Sequence, residues 1–468
     1  MDYTSTRADC TVSFETVVAS GLAPGGGLFM PKRLPRLGGG DLARIAGGSY
    51  AEALAGIGSL FAGKTLSGEI WTRIASESVA AFRHPAVAPL AEIGRRRWLL
   101  ELFHGPTLSF KDYGLQPLAR LLSHIAANDD RPLFILGATS GDTGSAGLAA
   151  FAGASDATVA ILHPYGRVSE VQRRQMTTVT GPHIRNIAID GSFDDCQRIA
   201  KSLLAERAAR NAERVLSVNS INWGRLLFQC AYHVYTAARL SRGGEPVALA
   251  VPSGNFGNAL AAVFAAMLGA PIGHLIVATN ANDKLVHALE SGETAAGKVA
   301  ATLSPAMDIQ IPSNLERLVY LATGMDAAVT AGIMAEAARG GRLLMPEGWR
   351  ERLPLSIEAH AVDDEETLAT IRRVYEETDR IVDPHTAVGI AALDRSERAR
   401  AMTSVAVSTA HPAKFPDAVE AALGGRPMMP PPLAAAMRGE ERMIRCAATE
   451  EAVRAALAPL GLDRSRRL

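Results

Sequence analysis

From about residue 96 onward the sequence alternates short apolar runs, glycine-rich loops and helical patterns, the mark of an α/β fold. Residues 132–136 form a short buried strand that runs into Gly137-Ala138-Thr139-Ser140-Gly141-Asp142-Thr143-Gly144 and then a helix. Residues 246–251 do the same, entering Pro252-Ser253-Gly254-Asn255-Phe256-Gly257-Asn258 before a long apolar helix. Apolar runs predict further strands over 97–103, 157–162, 184–189, 274–279 and 404–407. Helical spacing covers 115–125, 169–176, 193–207, 223–239, 314–323, 326–339, 364–378 and 447–458. The run Pro430-Pro431-Pro432 reads as a linker. Ahead of the alternation, 1–95 is mixed, with loops at 21–27 and 38–40 and helical spacing over 50–61 and 70–82. The expected divisions are 1–95, 96–240, 241–424 and 425–468.

At 468 residues, 48% hydrophobic and 21% charged, the composition is that of a folded globular chain of two or three domains. Formal net charge is zero, which gives no electrostatic footprint for nucleic acid or an anionic membrane. No run of about 18 apolar residues is long enough to span a bilayer, and the first 16 residues carry no signal pattern. Cys10, Cys196, Cys230 and Cys446 are scattered without metal spacing and read as reduced thiols of a cytoplasmic protein.

The two glycine loops can each hold an anion, because backbone N–H groups at a helix N-terminus are unpaired and glycine allows close approach. Ser253 to Asn258 is compact and suits a phosphate monoester; the alternative is a tight strand-to-helix turn. The loop with Thr139, Ser140, Asp142 and Thr143 suits a carboxylate or a second phosphate; the alternative is a packing loop. Neither ends in Gly-Lys-Ser/Thr and neither is Gly-x-Gly-x-x-Gly, which disfavours ATP and NAD.

Lysine is scarce in this chain, and one sits oddly. Phe103-His104-Gly105-Pro106-Thr107-Leu108-Ser109-Phe110-Lys111-Asp112 turns from a strand into a helix and places Lys111 at the helix start. That end of a helix favours anions. A lysine that turns neutral and attacks an aldehyde fits the position better than a surface cation. His104, His385 and His411 do not cluster and each reads as structural. No Gly-x-Ser-x-Gly or His-Glu-x-x-His occurs.

Taken together these blocks resemble the threonine synthases, fold-type II enzymes that use pyridoxal 5'-phosphate. The resemblance runs nearly the whole length: Tyr3-Thr4-Ser5-Thr6-Arg7, the lysine turn, 137–146, 190–197, 220–225, 251–258, Pro312-Ser313-Asn314, Asp383-Pro384-His385-Thr386 and 408–415. It implies a tryptophan synthase β-like fold, with two α/β sheet domains, the cofactor in the cleft and an N-terminal domain. It identifies Lys111 with the Schiff-base lysine and Ser253, Gly254, Asn255, Phe256, Gly257 and Asn258 with the cofactor-phosphate loop. Thr409, with Ser408 beside it, matches the hydroxyl near the ring nitrogen. Thr139, Ser140, Asp142 and Thr143 match the loop that grips the substrate carboxylate.

For the substrate phosphate, charge and hydroxyl content suggest Asn222 and Arg225, with Ser5, Thr6 and Arg7 as further candidates; salt bridges and caps are the alternative. The implied reaction turns O-phospho-L-homoserine and water into L-threonine and phosphate, the work of a carbon–oxygen lyase in threonine biosynthesis. A phospho-lyase or dehydratase releasing 2-oxobutyrate is the alternative, and a catalytically silent scaffold a third. A small-molecule substrate and a monomer or homodimer are expected, with no metal.

Overall fold

The computed structural model describes residues 1–20, 22–127, 131–139, 141–154, 157–210 and 213–458. Two compact units result, one from residues 1–120 and 220–429, the other from 121–219 and 430–468. The expected α/β fold is found in both.

The larger unit is built on a six-stranded sheet in the order Ser356–Ala361, Ile272–Thr279, Val247–Pro252, Thr403–Ser408, Arg97–Glu101, Leu90–Gly94. All neighbours are parallel except the last pair. Val247–Pro252 is buried at every position, as a central parallel strand covered on both faces must be. Ala248, Ala250, Ile276, Ala278 and Ala406 pack with Val388, Ile390, Ile371 and Val374 of the helices Pro384–Arg395 and Asp364–Thr378. Successive strand residues face opposite ways. Leu249, Val251, Val405 and Val407, also fully buried, therefore line the other face.

The N-terminal segment does not stand apart as a domain of its own. Trp223, which opens the helix Trp223–Leu240, packs edge-on against Tyr3, Phe61 and Phe264 at 5.9, 5.6 and 5.3 Å. Trp71 packs against Phe14 and Phe228. Such pairs add about 0.5–1.5 kcal/mol each beyond their buried area. They fasten the helices Tyr50–Ala62 and Gly68–Val79 to this unit.

The smaller unit carries a five-stranded parallel sheet in the order Ile444–Ala447, Ile184–Asp190, Ala157–Pro164, Leu133–Ala138, Arg214–Ser217. Its core joins Phe134, Leu136, Leu162, Ile187, Ile199 and Leu203 to Val453 and Leu457. The stretch from 430 is thus part of a folded unit rather than a linker. Pro431 and Pro432 begin a helix, Pro431–Arg438. Proline suits a first turn because its missing N–H has no partner there in any case. Glu441 accepts from Arg173 at 2.8 and 2.9 Å and from Thr177, and so ties this segment to the helix Glu170–Thr177.

Strand Arg97–Glu101, placed by the linear division with 96–240, lies instead between Thr403–Ser408 and Leu90–Gly94. The division into 1–95, 96–240, 241–424 and 425–468 differs from the two discontinuous units, because strand pairing joins residues far apart in the chain.

One packing contact tests this account of the larger unit. A Cβ on Gly58 would fall on the Trp71 ring. Gly58→Ala is expected to lower the urea midpoint, costing about 2 kcal/mol by overpacking, although alanine gains about 1 kcal/mol in helix propensity. An unchanged midpoint would mean that the ring moves aside freely.

Candidate active site

Beyond strand Arg97–Glu101, the Leu102 N–H still donates to Ser408 O at 2.9 Å. The chain then turns. Asp112, in the first turn of the helix Lys111–Ala126, accepts from Thr107 N–H at 2.9 Å and from the Thr107 hydroxyl at 2.8 Å. A Cβ on Gly105 would overlap this carboxylate, so the turn closes only on glycine. Leu108 takes a left-handed conformation, φ 61°. The backbone then runs antiparallel to 409–411. Phe110 N–H donates to Thr409 O at 2.8 Å and His411 N–H to Leu108 O at 3.1 Å, flanking a Ser109–Ala410 bridge. Lys111 and Thr409 are brought together by this pairing. Lys111 is partly buried, its Nζ 5.6 Å from the Phe110 ring centre.

Two charged groups that sequence reasoning passed over underlie the turn. Lys414 is fully buried and its Nζ donates to Thr107 O at 2.8 Å. Asp112 is fully buried too, and burial pushes its carboxyl up to about 6, against the Thr107 hydrogen bonds and Lys414. Lys414 fell within the 408–415 block but was given no role there, and the scarcity of lysine was its other sequence signal.

The phosphate-loop candidate leaves the end of strand Val247–Pro252. That strand pairs with Thr403–Ser408 in a register of Val247 to Thr403 and Ala250 to Ala406. The same register carries Ser253 and Thr409 to one edge of the sheet, beyond the carboxyl ends of the strands, where open α/β sheets place their ligands. Gly254 faces backbone directly: a Cβ there would sit 2.5 Å from Ala306 O. Asn255 O accepts from Asn314 N–H at 3.3 Å and from Asn314 Nδ2 at 3.1 Å. Phe256 adopts φ 61° and starts the helix Gly257–Met267. Asn258 Oδ1 accepts from Tyr232 at 2.7 Å and His233 Nε2 at 2.9 Å. Burial pushes His233 down to about 4, so the ring is neutral.

Arg317 holds this arrangement from behind. It is fully buried, lowered to about 9 by burial, and donates to Phe29 O, Ile221 O and Asn314 Oδ1. The Pro312-Ser313-Asn314 block therefore supports the loop from outside it.

Ser109 Oγ, Ser253 Oγ and Asn258 Nδ2 are buried with no hydrogen-bond partner among the described residues. Buried polar atoms left this way in a folded protein point to a missing partner. Ser253 and Asn258 flank a helix N-terminus, where unpaired N–H groups and the macrodipole favour an anion. The residues present fit a phosphate group.

The other expected residues fall as follows. Ser408 and Thr409 are buried; Thr409 N–H donates to Thr386 Oγ1 at 3.3 Å, and Ser408 Oγ lies 3.1 Å from the same oxygen. Asn222 caps the helix Trp223–Leu240, accepting from Gly224 N–H at 2.8 Å and donating to Val18 O at 3.2 Å. Arg225, one turn on, is buried, and burial pulls it down to about 10. Thr6 and Arg7 are bound to Glu316, Arg7 at 2.9 and 2.6 Å, which is the salt-bridge alternative for that motif. Ser5 Oγ accepts from Arg7 N–H at 3.2 Å.

In the smaller unit, Thr139 Oγ1 accepts from Gly141 N–H at 2.9 Å and Gly144 N–H at 3.0 Å, folding its own loop. Gly141 has φ 155°, and any side chain there would strike Gln172. Gln172 donates to Asp142 Oδ1 at 2.8 Å, a brace that sequence reading missed. Thr143 is partly buried; Ser140 lies outside the described residues.

Asp112 gives the turn a pH signature. Its folded value, about 6, lies above its ordinary 3.8. The folded state then binds the proton more tightly than the unfolded chain. That stabilisation is complete below the ordinary value and is lost as pH rises through about 6. Asp112→Asn is expected to flatten the fall in unfolding free energy between about pH 4 and pH 6, by on the order of 3 kcal/mol. Equal slopes in urea titrations of both proteins would contradict it.

Known proteins match this chain in sequence and fold. Residues 2–79 match the model for the threonine synthase N terminus, 82–409 that for pyridoxal-phosphate dependent enzymes, and 386–457 that for the threonine synthase C-terminal region. The threonine synthase of Pseudomonas aeruginosa is 41% identical over 445 residues, covering 94% of this chain and 95% of that one. That of Saccharomyces cerevisiae is 38% identical over 461 residues, covering 90% and 89%. The crystal structure of a PLP-bound threonine synthase from Brucella melitensis superposes with a TM-score of 0.92 at 37% identity, over 99% of this chain and 100% of that one. On sequence and fold alike, the chain belongs to the threonine synthase family of pyridoxal-phosphate-dependent enzymes.

Proposed function

We propose that this chain converts O-phospho-L-homoserine and water into L-threonine and phosphate, with pyridoxal 5'-phosphate held at the edge of the larger unit's sheet. One observation carries the reading. The pairing of 108–110 with 409–411 sets Lys111 beside Thr409, at the sheet edge where Ser253 and Asn258 leave polar atoms for an anion.

Ser253, Gly254, Asn255, Phe256, Gly257 and Asn258 would hold the cofactor's phosphate, through helix N–H groups and the two unpartnered side chains. Ser408 and Thr409 would face its ring nitrogen; being hydroxyls, they would not hold that nitrogen charged as a carboxylate would. Lys111 is the point of covalent attachment. When bound, the cofactor supplies an electron sink for carbanion chemistry. Once substrate has taken its place, Lys111 removes the Cα proton and later returns one. The loop of Thr139, Ser140, Asp142 and Thr143 suits a carboxylate, and Asn222 and Arg225 would serve the substrate's phosphate. Phosphate leaves Cγ and water adds at Cβ. Keeping water away until that stage prevents early release of a keto acid. The reading includes a cytoplasmic monomer or homodimer acting on a small molecule. Four cysteines free of disulfides support the compartment, and the zero net charge, which gives no footprint for nucleic acid or an anionic membrane, supports a small-molecule substrate.

With added cofactor and O-phospho-L-homoserine, phosphate and threonine are expected to form in equal amounts. Lys111→Ala should reduce both by roughly a thousandfold or more. 2-Oxobutyrate in place of threonine would move the assignment to a lyase. Gly254→Ala should weaken cofactor binding by about tenfold or more, because the loop must retreat from Ala306. Unchanged affinity in an absorbance titration would remove this loop from the phosphate site.

A further inference from the structure

The Asp383-Pro384-His385-Thr386 motif is one block of the family resemblance that the proposed mechanism leaves unused. Asp383 is fully buried and caps the helix Pro384–Arg395. Its hydrogen bonds can be assigned a direction by counting protons from backbone N–H groups, which only donate.

Ala306 N–H donates to His385 Nε2 at 3.2 Å. Nε2 is therefore an acceptor, and the neutral ring carries its proton on Nδ1. Nδ1 lies 2.9 Å from Asp383 Oδ1, and that oxygen also accepts from His385 N–H at 3.0 Å. A carboxylate at a helix N-terminus, met by these donors, only accepts. Its second oxygen takes the Thr386 hydroxyl proton. Thr386 Oγ1 has then spent its one proton and offers two lone pairs. Thr409 N–H fills one at 3.3 Å. Ser408 Oγ, at 3.1 Å, must donate into the other.

The geometry points to Asp383 as a positioning residue that sets the polarity of a hydroxyl chain, Ser408 to Thr386 to Asp383. Ser408 consequently meets the ring-nitrogen side of the cofactor only as an acceptor. The Thr409 hydroxyl, outside the chain, is the one left to donate there. This rests on the cofactor placement proposed above. Changing Asp383 to Asn reverses the chain. The amide oxygen stays with His385, the amide nitrogen donates to Thr386, the Thr386 proton turns to Ser408, and Ser408 becomes a second donor.

The test uses holoenzyme of the parent and of Asp383→Asn, Thr386→Val and Thr386→Ser. The readout is the pH midpoint of the bound cofactor's visible band, with the urea midpoint as a check on folding. Asp383→Asn and Thr386→Val are expected to shift the band midpoint by about one pH unit, as when one hydrogen bond near the ring is made or lost. Thr386→Ser, which keeps the hydroxyl, should hold it at the parent value. Were Asp383→Asn to fold poorly, the contrast between valine and serine at 386 would still decide. A parental midpoint in Thr386→Val, or a serine variant that behaves as the valine one, overturns the proposal. A parent enzyme with no visible band dependent on Lys111 overturns the cofactor placement itself, and the inference with it.

Discussion

The Ser109–Ala410 bridge joins two segments about three hundred residues apart in sequence, and the site depends on it. Neither side is held by local structure alone. The lysine segment passes through a left-handed leucine and a turn that admits only glycine at 105. The 409–411 segment has already left its strand. Two backbone hydrogen bonds, at 2.8 and 3.1 Å, fix their relative height. A buried lysine and a buried carboxyl hold the turn beneath them. Burying charge is costly, and breaking one partner of such an arrangement costs more than the arrangement itself contributes. The turn is consequently built to be rigid rather than to add stability.

Support for the phosphate loop is organised in a similar way. Arg317 contributes through three acceptors, two of them main-chain carbonyls. Its helix neighbour Glu316 binds Thr6 and Arg7. The hydroxyl-rich start of the chain thereby acts on the loop at second hand, by anchoring the helix Leu315–Ala322 that carries both residues. This explains why a motif that reads as a phosphate binder in sequence is taken up by a salt bridge in the structure.

Much of the fold was legible because parallel strands are covered on both faces and so appear as unbroken apolar runs. Leu133–Ala138, Ala157–Pro164 and Val247–Pro252 are buried throughout and were each read within two residues of their ends. Edge strands gave no such run: Ile444–Ala447 is mostly exposed, and Ser356–Ala361 mixes Glu358 and His360 with its apolar residues. The lysine turn and both glycine loops were legible from turn chemistry. Asp112, Lys414, Gln172 and the Asp383 chain were not, since their meaning lies in partners that no local pattern reveals. Asn222, read in sequence as a ligand for an anion, also caps a helix, and its position just before that helix was the signal for the cap.

The discontinuity of the smaller unit has a consequence for how the molecule is made. Its edge strand Ile444–Ala447 and covering helix Glu450–Leu457 are translated about three hundred residues after the strand Leu133–Ala138 that shares their sheet and core. On the ribosome, the apolar face formed by Leu136, Leu162 and Ile187 stays incompletely covered while the whole of 220–429 is synthesised. At about 5–20 residues per second that interval lasts tens of seconds. Long-range pairing of this kind slows folding and prolongs exposure of unpaired strand edges. Nascent-chain chaperones are therefore expected to meet this protein at its middle third, well before the site residues around Thr409 exist.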